Sequence, residues 1–514
     1  MPEGEEKKIL NTILKGASIA AFGLFFSKAV TYFYRTIVGR ALGPEAYGML
    51  TTGIMIGGIA ATFAGSPVKN GLKKFIPEYR EKNDLAAIKG TVLSALGLNL
   101  MGALIVGIVI FFLAEFIAVE IFDNRGLIPV IQVFGFLQLV SRPEAILSTT
   151  TVGFNKAKYE IISARIVQPI LQLVLTVLLI YTGFEVMGPV WGWVGGIALA
   201  IPLNLYFVEK KVGPILTSKV KPKYNTRELF NYSYPLFLSG MIGTFLGYTD
   251  TAFIGYYIDQ ATVGLYNAAY PTALILTIPV QAFGMLALSS FSELGAKELD
   301  KDEALKTLTR WVFAMTFPAF LIMTLYAEEL LTLLFGSEYT TAGLVLSIVA
   351  FGTMFSSALG KIGDILKSAG KTKIIFYNTT INMVLNIGLN ILLIPIYGIV
   401  GAAIATAGST VIMNTILGVE AWRYENVQPF SRNMLKTIFA GLTAIMITYL
   451  LFKQIFPITP LWAMIPAGIT FLGLYTVIFG KIGGLKEYDK EIIITTGRKI
   501  GLEKQVKKTL ELLT

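Results

Sequence analysis

The sequence predicts an all-α polytopic membrane protein, and three observations carry that prediction. Of its 514 residues, 54% are hydrophobic and only 15% are charged, a balance that soluble domains seldom carry. Apolar runs such as Val92 to Leu113, Ile374 to Ile394 and Thr437 to Leu451 recur along the whole length, each near the roughly 20 residues that a helix needs to cross hydrocarbon. The runs are continuous, whereas a membrane barrel would show short alternating segments.

Cutting the chain at its polar breaks gives about fourteen spans, at roughly 13–38, 47–70, 88–114, 127–151, 160–182, 188–208, 230–255, 262–288, 309–333, 342–366, 374–394, 399–419, 436–453 and 460–480. Alternate loops differ in charge. One set carries Lys73, Lys74, Arg80, Lys82 and Lys89, then Lys156 and Lys158, then Lys210, Lys211, Lys219, Lys221, Lys223 and Arg227, then Lys297, Lys301 and Lys306, then Lys371 and Lys373, then Arg423 and Arg432. The other set offers little beyond Arg40, Arg125 and Lys453, so the positive-inside rule places both termini in the cytoplasm of a cell-membrane protein. These loop lysines and arginines also give the net charge of +10 a topological role, without a nucleic-acid partner. The first residues, MPEGEEKKILNTILKG, lack a small-residue cleavage site, and no removable signal peptide is expected.

The chain also repeats itself. GRALGPEAYGML aligns with GYYIDQATVGLY, pairing Gly39 with Gly255 and Gly48 with Gly264; the same offset pairs Phe75 with Phe291 and Asp84 with Asp300. A nearly equal offset pairs Lys156 and Lys158 with Lys371 and Lys373. Spans one to six therefore read as duplicated in seven to twelve, giving two pseudo-symmetric six-helix lobes plus two extra C-terminal helices. The expected organisation is an N-lobe at 1–208, a basic linker with Pro214 and Pro222 at 209–228, a C-lobe at 229–419, two helices within 420–480, and an amphipathic cytoplasmic tail at 481–514 whose lysines suit anionic membrane lipids. Pro67, Pro143, Pro169, Pro202, Pro235, Pro271 and Pro318 fall within or beside spans and are expected to kink helices.

Composition excludes much chemistry. Without Cys or His there is no thiol nucleophile, disulfide, Cys/His zinc site or imidazole base. No GxxxxGK[ST] phosphate loop occurs either, so neither an enzyme nor a cofactor is expected.

The informative residues are charges inside apolar runs. Lys28 lies about 22 Å along a helix starting near Ile13, and about 16 Å short of Gly39, beyond the reach of its own stem. Insertion of such a charge costs roughly 2.5–3.5 kcal/mol, which argues for a wet or protein-lined environment. Arg35 follows two turns later on the same face, with Tyr32 between them. Span four holds Arg142 and Glu144 around Pro143; span seven holds Asp250; span ten holds Lys361, Asp364 and Lys367. Lys69 and Lys73 stand one turn apart at the inner end of span two, either extending a cationic wall or anchoring the interface. For Asp250, Glu144 and Asp364, ion pairing and a functional role are both open.

The order of GRALGPEAYG, KKFIPEYREKND, TDTAFIGYYIDQATVGLYNAAY, LKSAGKTK and NILLIPIYGIVGAAIAT resembles the polysaccharide-transporter (oligosaccharide flippase) branch of the multidrug/oligosaccharidyl-lipid/polysaccharide (MOP) exporter superfamily. The resemblance implies a two-lobed bundle that flips a polyprenyl-phosphate- or diphosphate-linked oligosaccharide to the outer leaflet by alternating access. It also implies that first-helix cations bind phosphate, a role that falls here on Lys28 and Arg35. The substrate-binding set expected in this chain is Lys28, Arg35, Arg142, Tyr32, Lys69 and Lys361. Outward movement of about two negative charges across 100 mV yields roughly 4.6 kcal/mol. Coupling to Na⁺ or H⁺ through Asp250, Glu144 or Asp364 is the other route. The rival within the superfamily, a cation-coupled multidrug antiporter, is disfavoured by a first helix that carries Lys28 and Arg35 and would repel a cationic drug.

Overall fold

The computed structural model describes residues 3–65, 68–284, 301–359, 361–455 and 461–485, with several positions between 489 and 505; the side chains of 3–22, 68, 234–240, 301, 453, 455 and 461 lie outside that description. Among the described residues every regular element is helical. In chain order these are α1 (Glu3–Ala64), α2 (Val68–Glu81), α3 (Leu85–Phe116), α4 (Leu127–Phe136), α5 (Gln138–Gly153), α6 (Lys158–Glu160), α7 (Gln168–Tyr181), α8 (Met187–Tyr206), α9 (Thr226–Tyr257), α10 (Gln260–Ala273) and α11 (Ile278–Gly284). They continue as α12 (Lys301–Leu325), α13 (Ala327–Phe335), α14 (Gly343–Ala358), α15 (Ile362–Ser368), α16 (Thr372–Tyr397), α17 (Ile399–Glu425), α18 (Arg432–Ile455) and α19 (Met464–Lys481).

Twelve segments among the described residues are long and apolar enough to cross a bilayer. The first, Gly23–Ala64, has 42 residues. At 1.5 Å per residue it measures about 63 Å, twice the hydrocarbon thickness, and so accommodates two of the fourteen expected spans. They are divided at Gly43, whose φ of 76° lies in the left-handed region that favours glycine, and Pro44 starts the second limb. Helix α9 has 32 residues, some of them outside the side-chain description, and is not among the twelve.

Two boundaries differ from those read in the sequence. The second span closes at Ala64 and the polar stretch 68–81 forms its own helix, because its apolar residues Leu72, Phe75, Ile76 and Tyr79 share one face and pack on Ala87, Ile88, Ile146 and Leu229. Span ten ends at Ala358, so Lys361, Asp364 and Lys367 stand on or beside the short α15 beyond it rather than inside hydrocarbon. The pairings with Phe291 and Asp300, the loop lysine Lys297, Pro67 and most of the 481–514 tail lie outside the described residues.

By contact the chain divides into two compact units, Met1–Ala268 with Leu334–Glu338, and Ala269–Leu333 with Tyr339–Thr514. In the first, α3 packs on α4 and α5, α7 on α8, and α1 runs beside α3, α4 and α9. Backbones approach closely where side chains vanish: a Cβ on Gly48 would lie 1.7 Å from the Gln260 carbonyl oxygen, and one on Gly264 would lie 1.9 Å from that of Pro44. This is the glycine pair that the sequence offset aligned, and close approach of this kind replaces the water-driven term that is missing between helices in lipid. The Thr52 hydroxyl donates to the Gln260 side-chain oxygen at 2.6 Å beside the contact.

In the second unit α16 packs on α17, α14 on α12 and α17, and α18 on α12 and α19. Phe471, Tyr475 and Phe479 of α19 stack on one another and share a buried cluster with Ala440 and Ala444 of α18. A buried fork joins the tail to this unit: Arg310 Nη1 and Nη2 donate to the two Asp489 oxygens at 2.7 Å each, and the Trp311 indole N–H donates to Asp489 Oδ1 at 2.7 Å.

Two outcomes follow. Gly48→Ala should lower thermal stability in detergent by about 1–3 kcal/mol through overpacking, whereas Gly97→Ala, with open space around it, should cost little; thermal unfolding of both variants measures this. Arg310→Ala strands a buried carboxylate and should cost about 3–5 kcal/mol, while the double change Arg310→Met with Asp489→Leu should recover most of it.

Candidate functional site

The candidate site in the first unit starts from α1. Arg35 sits two turns before the Gly43 break, which folds the second limb back within reach: Arg35 Nη1 donates to the Tyr47 hydroxyl at 3.4 Å, and Tyr47 donates to the Asn267 carbonyl at 3.3 Å. The Tyr32 ring meets Phe335 edge-on at 6.5 Å, and the Tyr47 ring lies 6.2 Å from the same Phe335. Tyr34 points away, its hydroxyl donating to the Pro189 carbonyl at 3.4 Å and its ring set edge-on to Trp193. Lys28, about 10.5 Å before Arg35 along α1, is exposed.

Arg142 occupies the first turns of α5, next to Pro143, which cannot donate to the preceding turn. Its Nε and Nη2 donate to the Gln138 side-chain oxygen at 3.1 and 2.9 Å. Among the described residues neither Arg35 nor Arg142 has a carboxylate oxygen within 4 Å; Arg35 donates to a neutral hydroxyl and Arg142 to a neutral amide. Glu144, on the same helix, is buried and accepts from the Asn204 amide at 3.1 Å, and Asn204 in turn accepts from Ser163 at 2.6 Å. Lys69, on α2 beyond the apolar span, has solvent access yet is hemmed by protein. That desolvation holds its ammonium below the usual lysine value, with Glu144 pulling it partly back up and Lys73 pushing it further down.

The structure thus gathers Arg35 and Tyr32 around Tyr47 and Phe335, and brings Lys69, Arg142 and Glu144 into one electrostatic neighbourhood. Asp250 accepts a hydrogen bond from Tyr266. Lys361 lies in the second unit, its Nζ 3.7 Å from Asp364, which also receives Lys367 at 3.0 Å; for Asp364 this is the ion-pair alternative. Gln138, Asn204, Tyr47 and Asn267 were not singled out from the sequence. The signal for the first two was a lone amide inside an apolar run, a group that needs a partner in hydrocarbon.

A family model described as "Polysaccharide biosynthesis protein" matches residues 37–344. The chain belongs to that family. It is 30% identical over 243 residues to the probable low-salt glycan biosynthesis flippase Agl15 of Haloferax volcanii, a match covering 47% of this chain and 50% of that protein, so the chain spans about half the length of that relative. This family member superposes on the lipid II flippase MurJ in its inward closed conformation with a TM-score of 0.67, at 16% identity, over 90% of this chain and 98% of that one. It superposes on an inward-facing multidrug resistance MATE transporter of the MOP superfamily with a TM-score of 0.62, at 14% identity, over 77% and 94% of the two chains. The structural likenesses establish a shared fold, that of a multi-pass helical membrane protein, in agreement with the fold that the resemblance read from the sequence implied.

Because the family member contains no cysteine, single cysteines can be read without background. Lys28→Cys and Lys69→Cys should react with a charged, membrane-impermeant thiosulfonate, and Ile105→Cys, on an exposed apolar face of α3, should not. Equal labelling at all three positions would show that the lysines occupy no distinct aqueous environment.

Proposed function

We propose that this protein flips a polyprenyl-phosphate- or diphosphate-linked oligosaccharide from the cytoplasmic to the outer leaflet of the cell membrane, with both termini cytoplasmic. One observation carries the reading: two guanidinium groups on membrane-crossing helices, Arg35 and Arg142, are held by neutral oxygens and keep their positive charge available. A phosphate ester tethered to lipid matches such groups, since the planar guanidinium offers paired N–H donors to phosphate oxygens. The Haloferax relative, a probable low-salt glycan biosynthesis flippase, and MurJ, a lipid II flippase, support the reading. Lys28, Tyr32 and Lys69 are proposed to complete the headgroup site, with Lys361 a lesser contributor because its charge is shared with Asp364. The six-helix halves at 1–208 and 229–419 are proposed as the lobes of an alternating-access cycle. The membrane potential is its proposed driving force, with Na⁺ or H⁺ coupling through Asp250 or Glu144 as the second route.

Reconstitution into liposomes with a defined polyprenyl-diphosphate sugar, scoring its accessibility in each leaflet, tests this. Arg35→Ala and Arg142→Ala should each slow flipping at least about tenfold, the usual penalty for removing a charged partner, with unchanged yield of folded protein. Wild-type rates in both variants, or cation-driven export of a cationic drug instead, would overturn the proposal.

A further inference from the structure

Arg142 is held in an unusual way for a charge in an apolar helix. Gln138, one turn earlier on α5 and only 2% exposed, presents a single oxygen to both Nε and Nη2. The same oxygen accepts from the Ser141 hydroxyl at 3.0 Å. The amide nitrogen of Gln138 donates to the Gly57 carbonyl of α1 at 2.9 Å. Reversing the amide would set N–H groups against N–H groups on one side and oxygen against oxygen on the other, so its orientation is fixed by its partners. Gln138 therefore ties the guanidinium to the backbone of the neighbouring helix through one rigid relay.

The relay uses two of the five guanidinium N–H donors. The remaining three belong to Nη1 and Nη2. Nη1 lies against Gly65, where an added Cβ would come within 2.9 Å of it, so a glycine at this turn leaves the free edge of the group uncrowded. The bracing residue is neutral, whereas the usual brace for a buried guanidinium is a carboxylate. A carboxylate at 138 would hold the same geometry and cancel the charge.

We infer that Gln138 is a positioning residue that aims the free edge of Arg142 at the substrate's phosphate while leaving its charge uncompensated. The inference rests on the reading of Arg142 as a phosphate-binding group, and it adds the device that makes the site select an anion. Gln138 need not touch the substrate, because it acts through Arg142.

The test measures binding of farnesyl diphosphate, a soluble prenyl diphosphate, to purified full-length protein, with farnesol as the uncharged control and thermal unfolding recorded for each variant. Arg142→Ala should weaken farnesyl diphosphate binding about tenfold or more. Gln138→Glu should weaken it as much while leaving farnesol binding unchanged, and Gln138→Leu, which frees the guanidinium without neutralising it, should weaken it less. The double change Gln138→Glu with Arg142→Ala should add nothing beyond Arg142→Ala, because the carboxylate acts only through the arginine. If Arg142→Ala binds like the wild type, the phosphate reading fails and the inference falls with it. If Arg142→Ala weakens binding but Gln138→Glu does not, the reading stands and the positioning role is overturned. Should Gln138→Glu yield no folded protein, Gln138→Leu decides alone: wild-type affinity for farnesyl diphosphate overturns the role, and weakening confined to the charged ligand supports it.

Discussion

A guanidinium in hydrocarbon must be solvated by something, and the choice of solvating group decides what the surrounding protein can do. A carboxylate solvates it fully and leaves a neutral pair with nothing further to offer. Hydroxyls and amides supply oriented dipoles, lower the cost of burial in part, and leave the net charge in place. In this protein Arg35 is held by Tyr47 and Arg142 by Gln138, both neutral. The acids on the same kinds of helix are satisfied elsewhere, Glu144 by Asn204 and Asp250 by Tyr266. Holding a guanidinium with neutral groups in place of a carboxylate leaves part of its burial cost unrecovered.

The scaffold around these groups is organised so that polar atoms reach across helices without opening the backbone to lipid. Gly43 breaks α1 so that Tyr47 returns toward Arg35, and the Gly48–Gly264 contact brings α1 and α10 close enough for Thr52 and Gln260 to bond. Gln138 stands at the start of α5, directly after Leu137, which keeps helical dihedrals between α4 and α5, and from there it reaches Gly57. The Thr52–Gln260 and Gln138–Gly57 links join residues far apart in sequence, and the Arg35–Tyr47 link spans the Gly43 break within α1.

Much of this was legible beforehand. The apolar runs, the charge alternation of the loops and the Lys28–Arg35 face are local properties of helix geometry, so they survive any arrangement of neighbours. The GRALGPEAYG turn announced its own break, since a Gly-Pro step has few helical options. The limits of span ten were less legible. Leu359 to Leu366 mixes Leu and Ile with Lys361, Asp364 and two glycines, a pattern that can end a span or embed charges in it, and the structure shows α14 closing at Ala358. The partners of the embedded charges were not legible either: a sequence places Arg142 and Glu144 two residues apart on one helix but does not say that one turns to Gln138 and the other to Asn204.

The sequence by itself determined the class of the molecule, the approximate spans and the identity of the charges that hydrocarbon would exclude, because transfer energies and helical periodicity act over a few consecutive residues. Tertiary structure decided how those charges were held: Gln138 lies one turn from Arg142 on α5 and Tyr47 lies 12 residues from Arg35 on α1, but the carbonyls of Gly57 and Asn267 that orient them come from other helices. That Arg35 and Arg142 meet neutral partners and, among the described residues, no carboxylate within 4 Å is therefore a property of the packed helices, one that no stretch of sequence holds alone.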